Sequence, residues 1–309
     1  MIRYILKRLL AGVISMVVLI TVVFFMMHAI PGDPFAPSDQ KNVPPEILER
    51  IRATYGLDKP VLEQYFDYWK ALLQGNLGVS VRGTEGVSVS DKITHHFPSS
   101  LLVGGIAVVF SLLVGIPLGV LAAIRRKKAA DFTTMAIASV GISIPSFVLA
   151  LLLLLLTGEV LKIPISVFQV DFIHLLIPVL CLSFNPIAYI ARQTRSSMLE
   201  ALENDYVRTA RAKGVSELMV VAKHALKNAL TPVITYLGPL VAGLLTGSFV
   251  VEKVFSIDGI GRYFVQMVSD RDYNMIMGIV IFYGAFVVIC NLISDILLAI
   301  VDPRVRYEK

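Results

Sequence analysis

The chain has 309 residues, of which 17% are charged, against roughly 25% in ordinary soluble domains. Its mean hydropathy is +0.73, and its apolar residues fall in runs longer than the roughly 18 that separate a membrane span from a core helix. That balance excludes a soluble enzyme. The formal net charge of +5 raises the question of nucleic acid, but in a membrane protein the position of the basic residues matters more than their sum. Cys181 and Cys290 both sit inside apolar runs, so neither a disulfide framework nor a Cys/His zinc site is indicated.

Six runs are long enough to cross about 30 Å of hydrocarbon at about 1.5 Å per residue: 9–30, 99–124, 133–158, 172–191, 232–251 and 275–301. They predict an all-α polytopic membrane protein with six transmembrane helices. Arg3, Lys7 and Arg8 precede the first run. Its length exceeds a signal-peptide core, and no small-residue cleavage site follows, so it reads as a span. The chain then divides into 1–30, with the first span; a segment 31–98; a transmembrane part 99–301 that includes the connection 192–231; and a tail 302–309. Of the 28 Lys and Arg, 17 lie on the side holding the chain start, 125–128, 192–231 and the tail, with only 7 of the 23 acids. The positive-inside rule therefore puts both chain ends and 192–231 in the cytoplasm, and 31–98 outside.

In 31–98, Pro45 and Pro60 stand where first helical turns would begin, ahead of Ile47, Leu48, Ile51 and of Val61, Leu62, Tyr65, Phe66, Trp69 at helical spacing. Two short amphipathic helices are predicted. Gly75, Gly78, Gly83 and Gly86 break the chain before a third short helical stretch, 88–97. Its neighbours His95 and His96 diverge on a helix surface and read as a surface pair rather than metal ligands. The segment reads either as a docking surface or as a lid on the span ends.

Within the spans, Gly115–Gly119 and Gly243–Gly247 have the spacing that lets helices approach closely. Pro117, Pro145, Pro178 and Pro186 each remove a backbone donor and mark candidate hinges. Ser143, Ser146, Ser183, Asn185, Thr235, Tyr236, Thr246 and Ser248 suit a hydrated pathway, and each also suits bonding to its own helix. Pro145, Ser146, Asn185, Gly243, Gly247 and Asp295 are the candidate hinge or pathway residues. Asp295 is the one acid well inside a span, and pairing near the span end, with Asn291 and Ser294, is its expected role.

The connection 192–231 is the most informative stretch. Asn204 or Asp205 is placed to cap a helix from Tyr206 to Lys213, Gly214 to end it in left-handed geometry, and Ser216 to cap a second helix, 217–230. Arg208, Arg211 and Lys213 would suit phosphate, but a unit tethered at both ends to membrane spans does not read DNA. No nucleic acid partner is therefore expected. An interfacial amphipathic helix pair is the plain alternative to a knob inserted into a cytoplasmic motor.

The run Arg208-Thr209-Ala210-Arg211-Ala212-Lys213-Gly214-Val215, followed by Lys223-His224-Ala225-Leu226-Lys227-Asn228, resembles the coupling loop of ATP-binding-cassette importer permeases. The B-type subunits of the oligopeptide/dipeptide class are the most similar. Ala210, Gly214 and Leu226 match the broad importer pattern, whereas Arg208, Thr209, His224 and Lys227 follow the peptide class's own variant. Further marks are Tyr4-Ile5-Leu6-Lys7-Arg8-Leu9, Pro31-Gly32-Asp33-Pro34, Tyr55-Gly56-Leu57-Asp58, Ile144-Pro145-Ser146-Phe147, Gly247-Ser248-Phe249-Val250-Val251-Glu252, Arg271-Asp272-Tyr273 and Asp302-Pro303-Arg304. The resemblance implies a permease subunit of the bacterial cytoplasmic membrane that imports peptides. It would pair with a second, homologous permease, two ATPase subunits and an external substrate-binding protein. Asp205, Tyr206, Arg208, Thr209, Ala210, Arg211, Lys213, Gly214, Val215, Glu217 and His224 would form the ATPase-coupling surface. Close relatives of that class carry nickel chelates, haem or sugars, and a membrane signalling protein is the alternative of another class. The sequence contains no G-x-x-x-x-G-K-[ST] loop, H-E-x-x-H or G-x-S-x-G. No enzymatic activity and no bound cofactor are therefore expected of this chain, with ATP and magnesium held by the partner subunits.

Overall fold

The computed structural model describes residues 2–29, 58–80, 86–160, 162 and 172–301. The predicted helix after Pro45 and the marks at Pro31, Tyr55 and Asp302 lie outside them. In chain order the helices are α1 (Ile2–Ala29), α2 (Val61–Leu73), α3 (Val89–Ile124), α4 (Ala129–Ser143), α5 (Ser146–Leu155), α6 (Phe172–Glu203), α7 (Asp205–Ala212), α8 (Glu217–Met219), α9 (Leu226–Ala229), α10 (Thr231–Leu245), α11 (Phe249–Val254), α12 (Ile260–Asp270) and α13 (Tyr273–Val301). Wider π-helical turns cover Leu156–Val160 and Val220–Ala225. The described residues hold no strand beyond a single bridge between Val79 and Ser88.

Five candidate spans are long and apolar enough to cross a membrane, and α4 with α5 and its π-turn makes a sixth only as a pair bent by 101°. The third span, a single run by hydropathy, is thus broken, and Pro145, read as a candidate hinge, supplies the reason. Its ring disfavours helical backbone at the preceding residue, and Ile144 is extended at φ −82°, ψ 119°. Pro117, Pro178 and Pro186 instead lie inside unbroken helices.

Two further boundaries differ from the sequence reading. The stretch 88–97 is not a separate helix, because α3 runs from Val89 through Pro98 into the span. The fourth span does not stop near residue 191 but continues as α6 to Glu203. Hydropathy marks where a helix leaves an apolar environment, not where its backbone hydrogen bonds end.

The chain forms two compact units. The first comprises 1–10, 97–262 and 286–309. Its core joins Val103 and Ala107 of α3, Ala150 of α5, Val179, Cys181 and Leu182 of α6, and Val251, Phe255 and Ile257 around α11. Gly115 and Gly119 behave as their spacing predicts. A Cβ on Gly115 would lie 2.9 Å from Ile190, and one on Gly119 2.6 Å from Thr194, so α3 and α6 touch backbone to backbone there. Gly243 and Gly247 do not act this way. Nothing lies within 4 Å of a Cβ on Gly243, whereas Gly247 sits at φ +86° in the turn between α10 and α11.

α4 is fastened along α6 by polar contacts absent from the sequence reading. Arg195 grips Asp131 through Nε (2.5 Å) and Nη2 (2.8 Å), and Asp131 also accepts the Lys127 backbone N–H at 2.9 Å. Arg192 donates to Ser139. Bidentate Arg–carboxylate geometry of this kind gives orientation as well as energy.

The second unit comprises 11–96 and 263–285. α2 forms as predicted, one residue after Pro60, which occupies the cap rather than the first turn. It lies on α1 through Tyr65, whose hydroxyl bonds Thr21 at 2.8 Å and whose ring meets Phe24 and Phe25. Burial holds the Tyr68 phenol above its ordinary range. His96, read as half of a surface pair, is buried and stacks on Tyr263 with centroids 4.3 Å apart. Asp272 caps α13 through the Met275 N–H and accepts the Ser80 hydroxyl at 2.6 Å, joining residue 80 to the start of the last span.

Candidate functional site

The 204–230 stretch folds as a knob with its own core. Val207 and Ala210 of α7, Val220, Ala225 and Ala229 pack with Met198 and Ala201 of α6 and Ala123 of α3. α7 ends in a Schellman arrangement: Val215 N–H bonds Ala210 C=O at 3.2 Å, Gly214 N–H bonds Arg211 C=O at 2.9 Å, and Gly214 is left-handed at φ +76°. Arg211 then closes the turn on Glu217 (Nε–Oε1 2.6 Å).

The predicted caps act differently. Asn204 occupies the cap position of α7 and Ser216 that of α8, but neither side chain makes a capping bond, and Asn204 instead donates to Glu200 C=O. The predicted second helix, 217–230, consists of α8, the π-helical stretch and α9.

Of the residues read as coupling candidates, Asp205, Tyr206, Arg208, Thr209, Arg211, Lys213, Gly214 and Glu217 are exposed. Val215 and His224 are half-buried, and Ala210 is buried in the knob core. The knob also presents apolar side chains that sequence reasoning missed: Leu218 is 81% and Met219 51% exposed. Their signal was the apolar pair Leu218-Met219 one turn past a helix stop.

A cavity of about 450 Å³ opens at the break between α4 and α5. Four of the six pathway candidates line it: Pro145, Ser146, Asn185 and Gly243, with Ser143, Tyr236 and Ser248. Its remaining lining is apolar, and no lining residue carries a charge. Gly247 lies outside that lining, and Asp295 pairs with Arg8 at 3.1 Å rather than with Asn291 or Ser294. Ser183, Thr235 and Thr246 bond to carbonyls of their own helices.

Knob and cavity are built from the same rods. α6 supplies Cys181, Leu182 and Asn185 to the cavity and runs on to Glu203 at the knob, and α10 supplies Tyr236, Leu240 and Gly243 and begins at Thr231, where the knob ends. A displacement of the knob therefore reaches the cavity through two continuous helices. The arrangement defines a polytopic helical membrane protein with an exposed knob and an uncharged cavity.

The chain belongs to the binding-protein-dependent transport system inner membrane components. The model of that family matches residues 115–307, and the model of the family's N-terminal region matches 1–101. Among curated relatives, the dipeptide transport system permease protein DppB of Bacillus subtilis is 41% identical, over 100% of this chain and 99% of its own length. The oligopeptide transport system permease protein OppB of Escherichia coli K12 is 39% identical over 99% and 100%. Among solved structures, the MetNI methionine ABC transporter in inward facing conformations aligns with a TM-score of 0.54 at 18% identity, covering 68% of this chain and 96% of that one. An amino acid ABC transporter with histidines aligns at 0.50 and 19%, covering 70% and 94%. These two carry the fold alone.

The bend at Pro145 gives one expected result. Replacing Pro145 with Ala lifts the steric bar on helical backbone at Ile144 and lets α4 and α5 approach a straight helix. Uptake should fall several-fold while co-purification of partner proteins is unchanged. Unaltered uptake would remove Pro145 from the working bend.

Proposed function

We propose that this chain is a permease subunit of an ATP-binding-cassette importer for oligopeptides or dipeptides in the bacterial cytoplasmic membrane. It forms the translocation pathway with a second, homologous permease and receives peptide from an external binding protein. Two partner ATPases, which hold the ATP and magnesium, drive it from the cytoplasmic face. The observation that carries the reading is the continuity of knob, α6, α10 and cavity: closure of the ATPases moves the knob, and the two helices turn that movement into a change of access. The peptide assignment draws on the full-length relatives, which bear peptide-transport names. It draws also on the lining of hydroxyl, amide and apolar groups without fixed charge. Such a wall neither traps nor repels a cargo whose charge varies with its side chains, whereas a fixed charge would select among cargoes.

Purification of the tagged protein from its native membrane in mild detergent, followed by mass spectrometry, tests the coupling role. A second permease and P-loop ATPases should co-purify, and Leu218→Asp, which alters only an exposed side chain of the knob, should deplete the ATPases about tenfold while keeping the second permease. Wild-type protein that emerges without any ATPase in every nucleotide state would overturn the reading. Uptake of labelled peptides compared with nickel chelates, haem and sugars decides the cargo.

A further inference from the structure

In the second unit, the last two turns of α1, with α12 and α13, enclose a groove of about 340 Å³. Val23, Met26, Met27 and Val268 are typical of its lining, which is apolar apart from Arg271 and Tyr273 and contains no acid. Arg271 has an unusual backbone, with φ 56° in the left-handed region that side-chain-bearing residues seldom enter. Among the described residues its guanidinium makes no ion pair or hydrogen bond. The neighbouring Asp272 is committed elsewhere, one oxygen to the Met275 N–H and the other to the Ser80 hydroxyl. The Tyr273 hydroxyl is buried without a hydrogen-bond partner in the same wall.

Val23 lies six residues from the end of α1, so the groove sits within about 10 Å of that end at about 1.5 Å per residue. That is the depth at which acyl chains give way to headgroups. A solitary guanidinium at that depth, over an apolar slot with no acid, has the geometry for a phosphate above and a hydrocarbon tail below. We infer that this groove binds one anionic phospholipid, its acyl chain along Val23, Met26 and Val268 and its phosphate on Arg271. The site concerns the membrane face of the chain and is independent of the cargo and of ATPase coupling.

Native mass spectrometry of the purified full chain, titrated with phosphatidylglycerol or with phosphatidylcholine of the same acyl composition, tests it. One phosphatidylglycerol should bind about tenfold more tightly than phosphatidylcholine, the scale of a charge-assisted pair. Arg271→Asn should erase that preference. Asparagine tolerates left-handed backbone, so an unchanged melting curve separates lost binding from lost fold. Val268→Trp, which fills the slot, should weaken both lipids alike, and Arg271→Lys should keep part of the preference. Equal binding of the two lipids to the wild type overturns the inference, as does a phosphatidylglycerol preference that survives Arg271→Asn. Displacement of the bound lipid by an external protein that cross-links at residue 268 also overturns it, by making the groove a protein contact.

Discussion

Gly214→Val is expected to lower energised uptake at least about tenfold, while Gly214→Asn keeps most of it. The Gly214 backbone is at φ +76°, and nothing lies within 4 Å of where a Cβ would stand. Space is therefore not limiting, and the whole effect comes from backbone preference. A left-handed residue with a side chain costs about 1–2 kcal/mol, more when it is β-branched, whereas asparagine populates that region readily. The valine variant relieves its strain by opening the turn. That frees the Val215 and Gly214 N–H bonds to Ala210 and Arg211 and misplaces Glu217 relative to Arg211. The exposed Leu218, next to Glu217 in the chain, is displaced with it. Transport of labelled peptide in cells, with membrane abundance measured alongside, is the readout. Equal uptake by the valine and asparagine variants would show that the turn geometry plays no part.

The largest loss of stability is expected from Glu252→Ala. Glu252 is 3% exposed, and its carboxylate organises the turns around α11. Oε1 accepts the Ser100 hydroxyl at 2.6 Å, and Oε2 accepts the Arg262 N–H at 2.8 Å. Ser100 in turn accepts the Ile260 N–H at 3.0 Å. Truncation leaves both of these donors unpaired at once, a loss of about 3 kcal/mol. Glu252→Gln keeps the shape and one acceptor oxygen and should lose about half as much. Gly259→Ala should match the alanine variant, because its Cβ would lie 2.5 Å from the Glu252 carboxylate. Thermal midpoints of the purified protein in one detergent rank the three, and a wild-type midpoint for Glu252→Ala would sink the account.

The knob was legible because its punctuation is local. Gly214 ends α7 as its position after Lys213 implies, since a left-handed residue leaves a mark on residue type. Pro145 was legible as a point of weakness, but hydropathy treated 133–158 as one run, because a sum over side chains does not register a 101° turn in the axis. Gly243 and Gly247 share a spacing with Gly115 and Gly119, yet one faces a cavity and the other turns the chain. The spacing is the same, and only the neighbours differ. Of the pathway candidates, Pro145, Ser146, Asn185 and Gly243 meet in one cavity, whereas Asp295 goes to Arg8.

The sequence by itself determined which segments leave water, where the chain turns between two of them, and to which family the chain has a resemblance. Those properties rest on side-chain solvation and on single-residue φ preferences, which each residue carries wherever it is placed. Only the tertiary structure decided that Asp131 meets Arg195, that Glu252 is wrapped by Ser100 and the 259–262 backbone, and that knob and cavity share α6 and α10. A buried charge must find its partner wherever the packed helices bring one, and residues 64 or 152 positions apart in the chain leave no periodic trace of that meeting.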